Sequence, residues 1–152
     1  MLERIKLFLN KFDSQPEHPA PVDFATALGA LMVEVMRADN DIAPDELKMI
    51  TKLLQQHCQL SADNSDLICS KAQQLVNEAI DLHRFVKVVN DNTSEEARIE
   101  VIELLWMVAF ADGKLDPQED YTVRKLAGLM YVAHGDFIAA KLNVKNVLGL
   151  PD

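Results

Sequence analysis

A chain of 152 residues with 24 acidic and 15 basic side chains, a formal charge of −9 and 49% hydrophobic residues has the length and apolar content of one domain. At this size roughly 68–70% of the unfolded surface is buried and no disulfide or metal staple is needed. The acidic balance argues against nucleic acid as a partner, because that affinity comes largely from Lys and Arg displacing counterions from phosphates. Cys58 and Cys69 are the only cysteines and lack a Cys-x-x-Cys spacing, which points to a reduced intracellular compartment and to thiols packed as small hydrophobes.

The first residues show no uninterrupted apolar stretch with a small-residue cleavage site, and no apolar run approaches the roughly 20 residues that span a bilayer. A cytoplasmic protein, at most peripheral to the inner membrane, is expected. Leu2, Ile5, Phe8, Leu9 and Phe12 recur at helical spacing beside Arg4, Lys6 and Lys11, the pattern of a basic amphipathic helix over 1–12. Asp13 to Pro21 holds Pro16, Pro19 and Pro21. Proline fixes its own φ and has no amide hydrogen, so 13–21 reads as a semi-extended linker. The arm beyond it either docks on the core of the domain or serves as a membrane-surface or partner-docking element.

From residue 22 to about 145 the chain reads as helix after helix, followed by a tail over 146–152. Val22, Phe24, Ala25, Leu28, Leu31, Met32 and Val35 make a broad apolar face on a first helix that ends near Asp39. Pro44 opens a second, in which Leu47, Ile50, Leu53 and Leu54 keep the three-to-four period up to His57. A third begins between Ser61 and Asp66 and uses Leu67, Ile68, Ala72, Leu75, Val76, Ala79 and Ile80. A shorter one with Leu82, Phe85, Val88 and Val89 closes at Asn90-Asp91-Asn92, whose side chains favour turns. Thr93 and Glu96 have the form of a capping box ahead of a helix bearing Ile99, Ile102, Leu105, Trp106, Val108 and Ala109. Pro117 to Val132 is the next helix. His134-Gly135 reads as its stop and Asp136 as the cap of a last helix through Phe137, Ile138, Ala140 and Leu142. No segment alternates as a strand does, and the expected fold is all-α, a single domain of about seven to eight helices.

Within this series one passage occurs twice. Ala38-Asp39-Asn40-Asp41-Ile42-Ala43-Pro44-Asp45-Glu46 returns as Ala111-Asp112-Gly113-Lys114-Leu115-Asp116-Pro117-Gln118-Glu119, with Leu31, Val35 and Lys52-Leu53 matched by Leu104, Val108 and Lys125-Leu126. Each copy is thus two helices joined by a short acidic turn, and two such hairpins are expected to pack on one another, since neither makes a core alone. Much of the turn chemistry is explained without a ligand. Asp116 is a preferred N-cap, Pro117 suits the first helical position, Glu119 can reach back to the cap, and Gly113 can turn left-handed. Asp39 and Asp112, and the surrounding Glu34, Asp41, Asp45, Glu46, Glu103, Asp116, Glu119 and Asp120, make a larger acidic collection than capping requires.

Ala111-Asp112-Gly113-x-Leu115-x-x-x-Glu119, and Ala38-Asp39-x-x-Ile42-x-x-x-Glu46 with Asn40 in place of glycine, resemble the duplicated signature of the TerB-like tellurite-resistance proteins, over about Val22 to Leu142. The resemblance implies an internally pseudo-symmetric helical domain, usually bacterial, that acts as a binding or sensing module in tellurite and stress resistance, with a protein partner in membrane-associated complexes. It also implies a divalent-cation site, with Asp39, Glu46, Asp112 and Glu119 as the metal candidates. It leaves the oligomeric state and the N-terminal arm open.

Hard cations take oxygen ligands, about six to eight for Ca²⁺ and six for Mg²⁺, so four carboxylates from two turns suit Ca²⁺, Mg²⁺ or Mn²⁺, while capping plus a solvated acidic face accounts for the same residues without any ion. The turns are too short for EF-hands, and the Cys and His residues that zinc prefers are scattered. Catalysis finds no support. No His follows a Glu by three positions as in di-iron bundles, the five glycines stand singly where a phosphate loop would cluster them, and neighbours such as His57 and Cys58 do not face one another on a helix. A non-enzyme is expected. Two readings remain, a cation-responsive sensor and a metal-independent adaptor that binds a protein through its helical faces and arm.

Overall fold

The computed structural model describes residues 23–39, 44–78 and 82–151, with Asp39 described by its backbone alone. The expected amphipathic arm over 1–12 and the linker over 13–21 lie outside the described residues. Among those described there are seven α-helices, one 3-10 turn and no strand. The helices are α1 (Phe24–Met36), α2 (Pro44–Cys58), α3 (Ala62–Asn77), α4 (Leu82–Asp91), α5 (Glu95–Ala109), α6 (Pro117–Leu129) and α7 (His134–Leu148), with the 3-10 turn at Arg37–Asp39 directly after α1.

The centre of the domain is its first helix. Asp23 caps α1 by accepting from the Thr26 amide at 2.7 Å, and every residue of α1 except Glu34 is buried. Its periodicity suggests one broad apolar face, but a helix apolar all round is covered all round. Helices α2, α3, α4, α5 and α6 all pack against it. Gly29 is what lets α3 come close, because a Cβ built there would lie 3.4 Å from Cβ of Ala72.

The two hairpins, α1–α2 and α5–α6, pack on one another as expected. Helix α1 meets α5, and each of these also meets the second helix of the other copy. The symmetry runs further than the sequence repeat. Each hairpin is followed by another helix that folds back onto its first, α3 on α1 and α7 on α5, while α4 bridges the copies. The α7 contact is aromatic at its centre, with the fully buried Trp106 ring 5.1 Å from Phe137 and 5.8 Å from Phe110.

Several helix ends differ from expectation, each for a local reason. Ser94, not Thr93, caps α5 by accepting from the Ala97 amide, because the Thr93 hydroxyl is turned back to the Val89 carbonyl at 2.6 Å. Helix α6 stops at Leu129, short of Val132, where Tyr131 takes a left-handed φ of 59° and the Val132 amide closes on the Ala127 carbonyl. His134-Gly135 is therefore not a stop but the first turn of α7, with Ala133 as its N-cap in place of Asp136. The last helix also runs to Leu148, through residues expected in the tail, and ends on Gly149 at φ 71°. Leu67 and Leu142, expected on apolar faces, are 67% and 48% exposed.

Candidate functional site

The second acidic turn is built from its backbone outward. Gly113, at φ 83°, donates its amide to the Phe110 carbonyl at 2.9 Å. Asp112 then accepts from the Lys114 amide at 3.0 Å, so its carboxylate holds the turn itself and not the amides of the next helix. Leu115 packs on the core. Asp116 accepts from the Gln118 amide at 2.7 Å and Pro117 takes the first helical position, as the capping account requires. In the first copy the 3-10 turn leads out of α1 and Pro44 opens α2. Residues 40–43 and the Asp39 side chain lie outside the described residues.

Glu46 and Glu119 hold the same station, the third residue of α2 and of α6, and each is only 2% exposed. A solvated acidic face does not describe these two. The remaining acids divide by environment. Asp45 and Asp112 are exposed, and Glu103 is 9% exposed and accepts from the side-chain amide of Asn143. Asp120 faces Lys141 at 3.5 Å and Arg124 at 3.8 Å, which occupies it with side-chain cations. The 3-10 turn that carries Asp39 packs against α6, the helix of Glu119. Among the described residues no three His, Cys, Asp or Glu side chains converge as a metal-holding group. Of the four metal candidates, Glu46, Asp112 and Glu119 can thus be placed and do not by themselves form a cage.

The chemistry of the other reactive side chains follows from their surroundings. Cys58 and Cys69 are buried thiols, and burial, with Asp66 adding to it, pushes the Cys69 thiol up to about 11, the opposite of what a nucleophile needs. Trp106 is a core residue, with Lys141 over its ring at 5.2 Å. His134 lies in the first turn of α7, beside the Phe137 ring at 5.9 Å. Sequence pattern did not reveal the Asn143–Glu103 bond, for which spacing of forty positions carries no local signal. No helix among the described residues is long and apolar enough to cross a membrane.

An internally duplicated, all-helical domain with an acidic turn inside each copy is the class defined by this geometry. The model of the family described as tellurite resistance protein TerB matches residues 25–142, most of the chain, and the chain belongs to that family. No curated protein matches it in sequence. The crystal structure of a protein of unknown function from Porphyromonas gingivalis W83 is similar at a TM-score of 0.61 and 21% identity, over 81% of this chain and 94% of that one, a likeness of fold.

Proposed function

We propose that the chain is a non-enzymatic binding module of bacterial tellurite and stress resistance, and that its paired acidic turns respond to a divalent cation, Ca²⁺, Mg²⁺ or Mn²⁺. The burial of Glu46 and Glu119 at one station of both copies carries this reading. Taking a carboxylate out of water is expensive, and the same cost recurs at one station of both copies. A hard cation takes carboxylate oxygens and water together, and the first turn rests on α6, the helix that carries Glu119. Neutralising these charges would favour one packing of the two copies over another, and a protein partner, at the inner-membrane surface, would read the difference.

A metal-independent adaptor is the second reading, and the outward-facing Leu67, Leu142 and Val147 favour it, at 67%, 48% and 64% exposed. Thermal unfolding of the chelator-stripped chain, alone and with millimolar Ca²⁺, Mg²⁺, Mn²⁺ or Zn²⁺, separates the two. A saturable, ion-selective rise in melting temperature that is lost on substituting Asp39→Asn with Asp112→Asn supports the sensor. A flat response to every ion rejects it in favour of the adaptor.

A further inference from the structure

The turn from α4 to α5 and the turn from α6 to α7 lie side by side. They are tied together by the Asn90 side-chain amide, which donates to the Leu129 carbonyl at 3.1 Å. On one side of this seam is a groove of about 440 Å³ with Leu129, His83, Lys87, Asn90 and Asp91 in its wall. On the other is a hollow of about 140 Å³ lined by Ile99 and Val132 and by the acids Glu95, Glu96 and Asp136. Tyr131 belongs to both and is 81% exposed, the most exposed large hydrophobic side chain among the described residues. In the smaller hollow Arg98 points its guanidinium at the carbonyls of Asn90 and Thr93, and in the larger Lys87 is paired with Asp91 at 2.7 Å. The joint surface is a trough of mixed lining, with Leu129, Tyr131, Ile99 and Val132 as its apolar part and the exposed acids Glu95 and Asp136 on its border.

The chain itself contains a segment of complementary character. Residues 1–12 carry five large apolar side chains at helical spacing and three basic residues against the single Glu3. They are joined to Asp23 by the ten residues 13–22, which span up to roughly 33 Å when extended. A domain of this length has a radius of gyration of about 15 Å, so the trough is within reach, and a tether of this length holds the segment at an effective concentration on the order of millimolar.

We propose that residues 1–12 dock in cis in the trough that straddles Tyr131. Leu2, Ile5, Phe8, Leu9 and Phe12 would lie on Ile99, Leu129, Tyr131 and Val132, and Arg4, Lys6 and Lys11 would lie along Glu95 and Asp136. This is the helix-in-groove mode of recognition, in which an apolar face supplies contact and border charges set orientation. Family membership plays no part in it, because the matched residues 25–142 exclude the segment.

The test uses the full chain with a benzoylphenylalanine at position 8 in place of Phe8, irradiated as an equal mixture of unlabelled and ¹⁵N-labelled chains and mapped by mass spectrometry. Crosslinks within one chain, to residues around 86 or 129–132, are expected. Reversing two exposed border charges, Glu95→Lys with Asp136→Lys, is expected to lower their yield roughly tenfold, two charge pairs at about 0.5–1 kcal/mol each. Crosslinks confined to another surface, crosslinks between differently labelled chains, the absence of any crosslink, or a yield indifferent to the charge reversal would each overturn the proposal.

Discussion

Asn143 on α7 donates its side-chain amide to Oε2 of Glu103 on α5, forty positions earlier, and Glu103 is only 9% exposed. The bond pins the last helix to the second copy by a charged acceptor, beside the Trp106–Phe137 contact. Hydrogen bonds to charged groups contribute roughly 1.5–3 kcal/mol. Because Asn143 is itself exposed, water replaces part of the loss, and Asn143→Ala is expected to lower unfolding free energy by about 1.5 kcal/mol in urea titrations. Asn146→Ala, an exposed neighbour on the same helix, should stay within about 0.5 kcal/mol of the parent.

Alkaline pH should weaken the fold through Cys69. Its thiol is raised from 9.0 to about 11 by burial, with Asp66 as a smaller cause, so the unfolded chain loses this proton first. The stability carried by the protonated thiol is fully present below about pH 9 and is lost as pH rises through 11. The loss is on the order of 2 kcal/mol at about 1.4 kcal/mol per pKa unit. Urea unfolding at pH 8 and pH 11, compared between the parent and Cys69→Ala, measures it. The alanine variant should show a smaller alkaline loss, and equal losses would contradict this account.

Two left-handed turn positions should both favour glycine. Gly113 sits at φ 83° with nothing within 4 Å of a built Cβ, so Gly113→Ala meets backbone strain alone and should cost about 1 kcal/mol. Gln59 holds φ 53° just after α2 and is exposed. Gln59→Gly should therefore add about 0.5–1 kcal/mol, relief of a left-handed side chain at a helix end. Melting temperatures of both variants decide the matter.

Substituting the paired glutamates separates a cation site from mere acidity. A ligand at about 100 times its dissociation constant adds roughly 2.7 kcal/mol, about 5–10 °C for a chain of this length. Glu119→Gln keeps the shape of the side chain and is expected to remove most of any ion-dependent rise, and Glu46→Gln likewise. Asp120→Asn should leave the rise in place, because Asp120 faces Lys141 and Arg124. A rise that survives in the glutamine variants would move the ion elsewhere.

How far the structure was legible differs from element to element. Ile50, Leu53 and Leu54 sit in the core as their spacing predicts, because an amphipathic helix writes its buried face into its period. The uniform burial of α1 was less legible, since a wide apolar face and a complete one differ at few positions. Tyr131 shows why the end of α6 was misplaced. Glycine is the usual left-handed residue, and here the pattern-bearing Gly135 is helical while a tyrosine turns the chain. At the site, the repeat correctly aligned Glu46 with Glu119. Their burial was hidden, because an acid two residues after a helix-opening proline reads as solvent-facing. The equivalence of α3 and α7 left no sequence trace, being carried by packing alone.

The position of α1 sets the order in which the fold can be completed. Helix α1 leaves the ribosome before the other described helices, and α5 and α6, which cover part of it, end at Ala109 and Leu129. At roughly 5–20 residues per second of synthesis, some seventy to ninety further residues take roughly 4–18 seconds. For that interval an almost wholly apolar helix has, among the described helices, α2 to α4 for shelter. Newly made chains truncated before α5 should be substrates for holdase chaperones, and those extending past α6 should escape them.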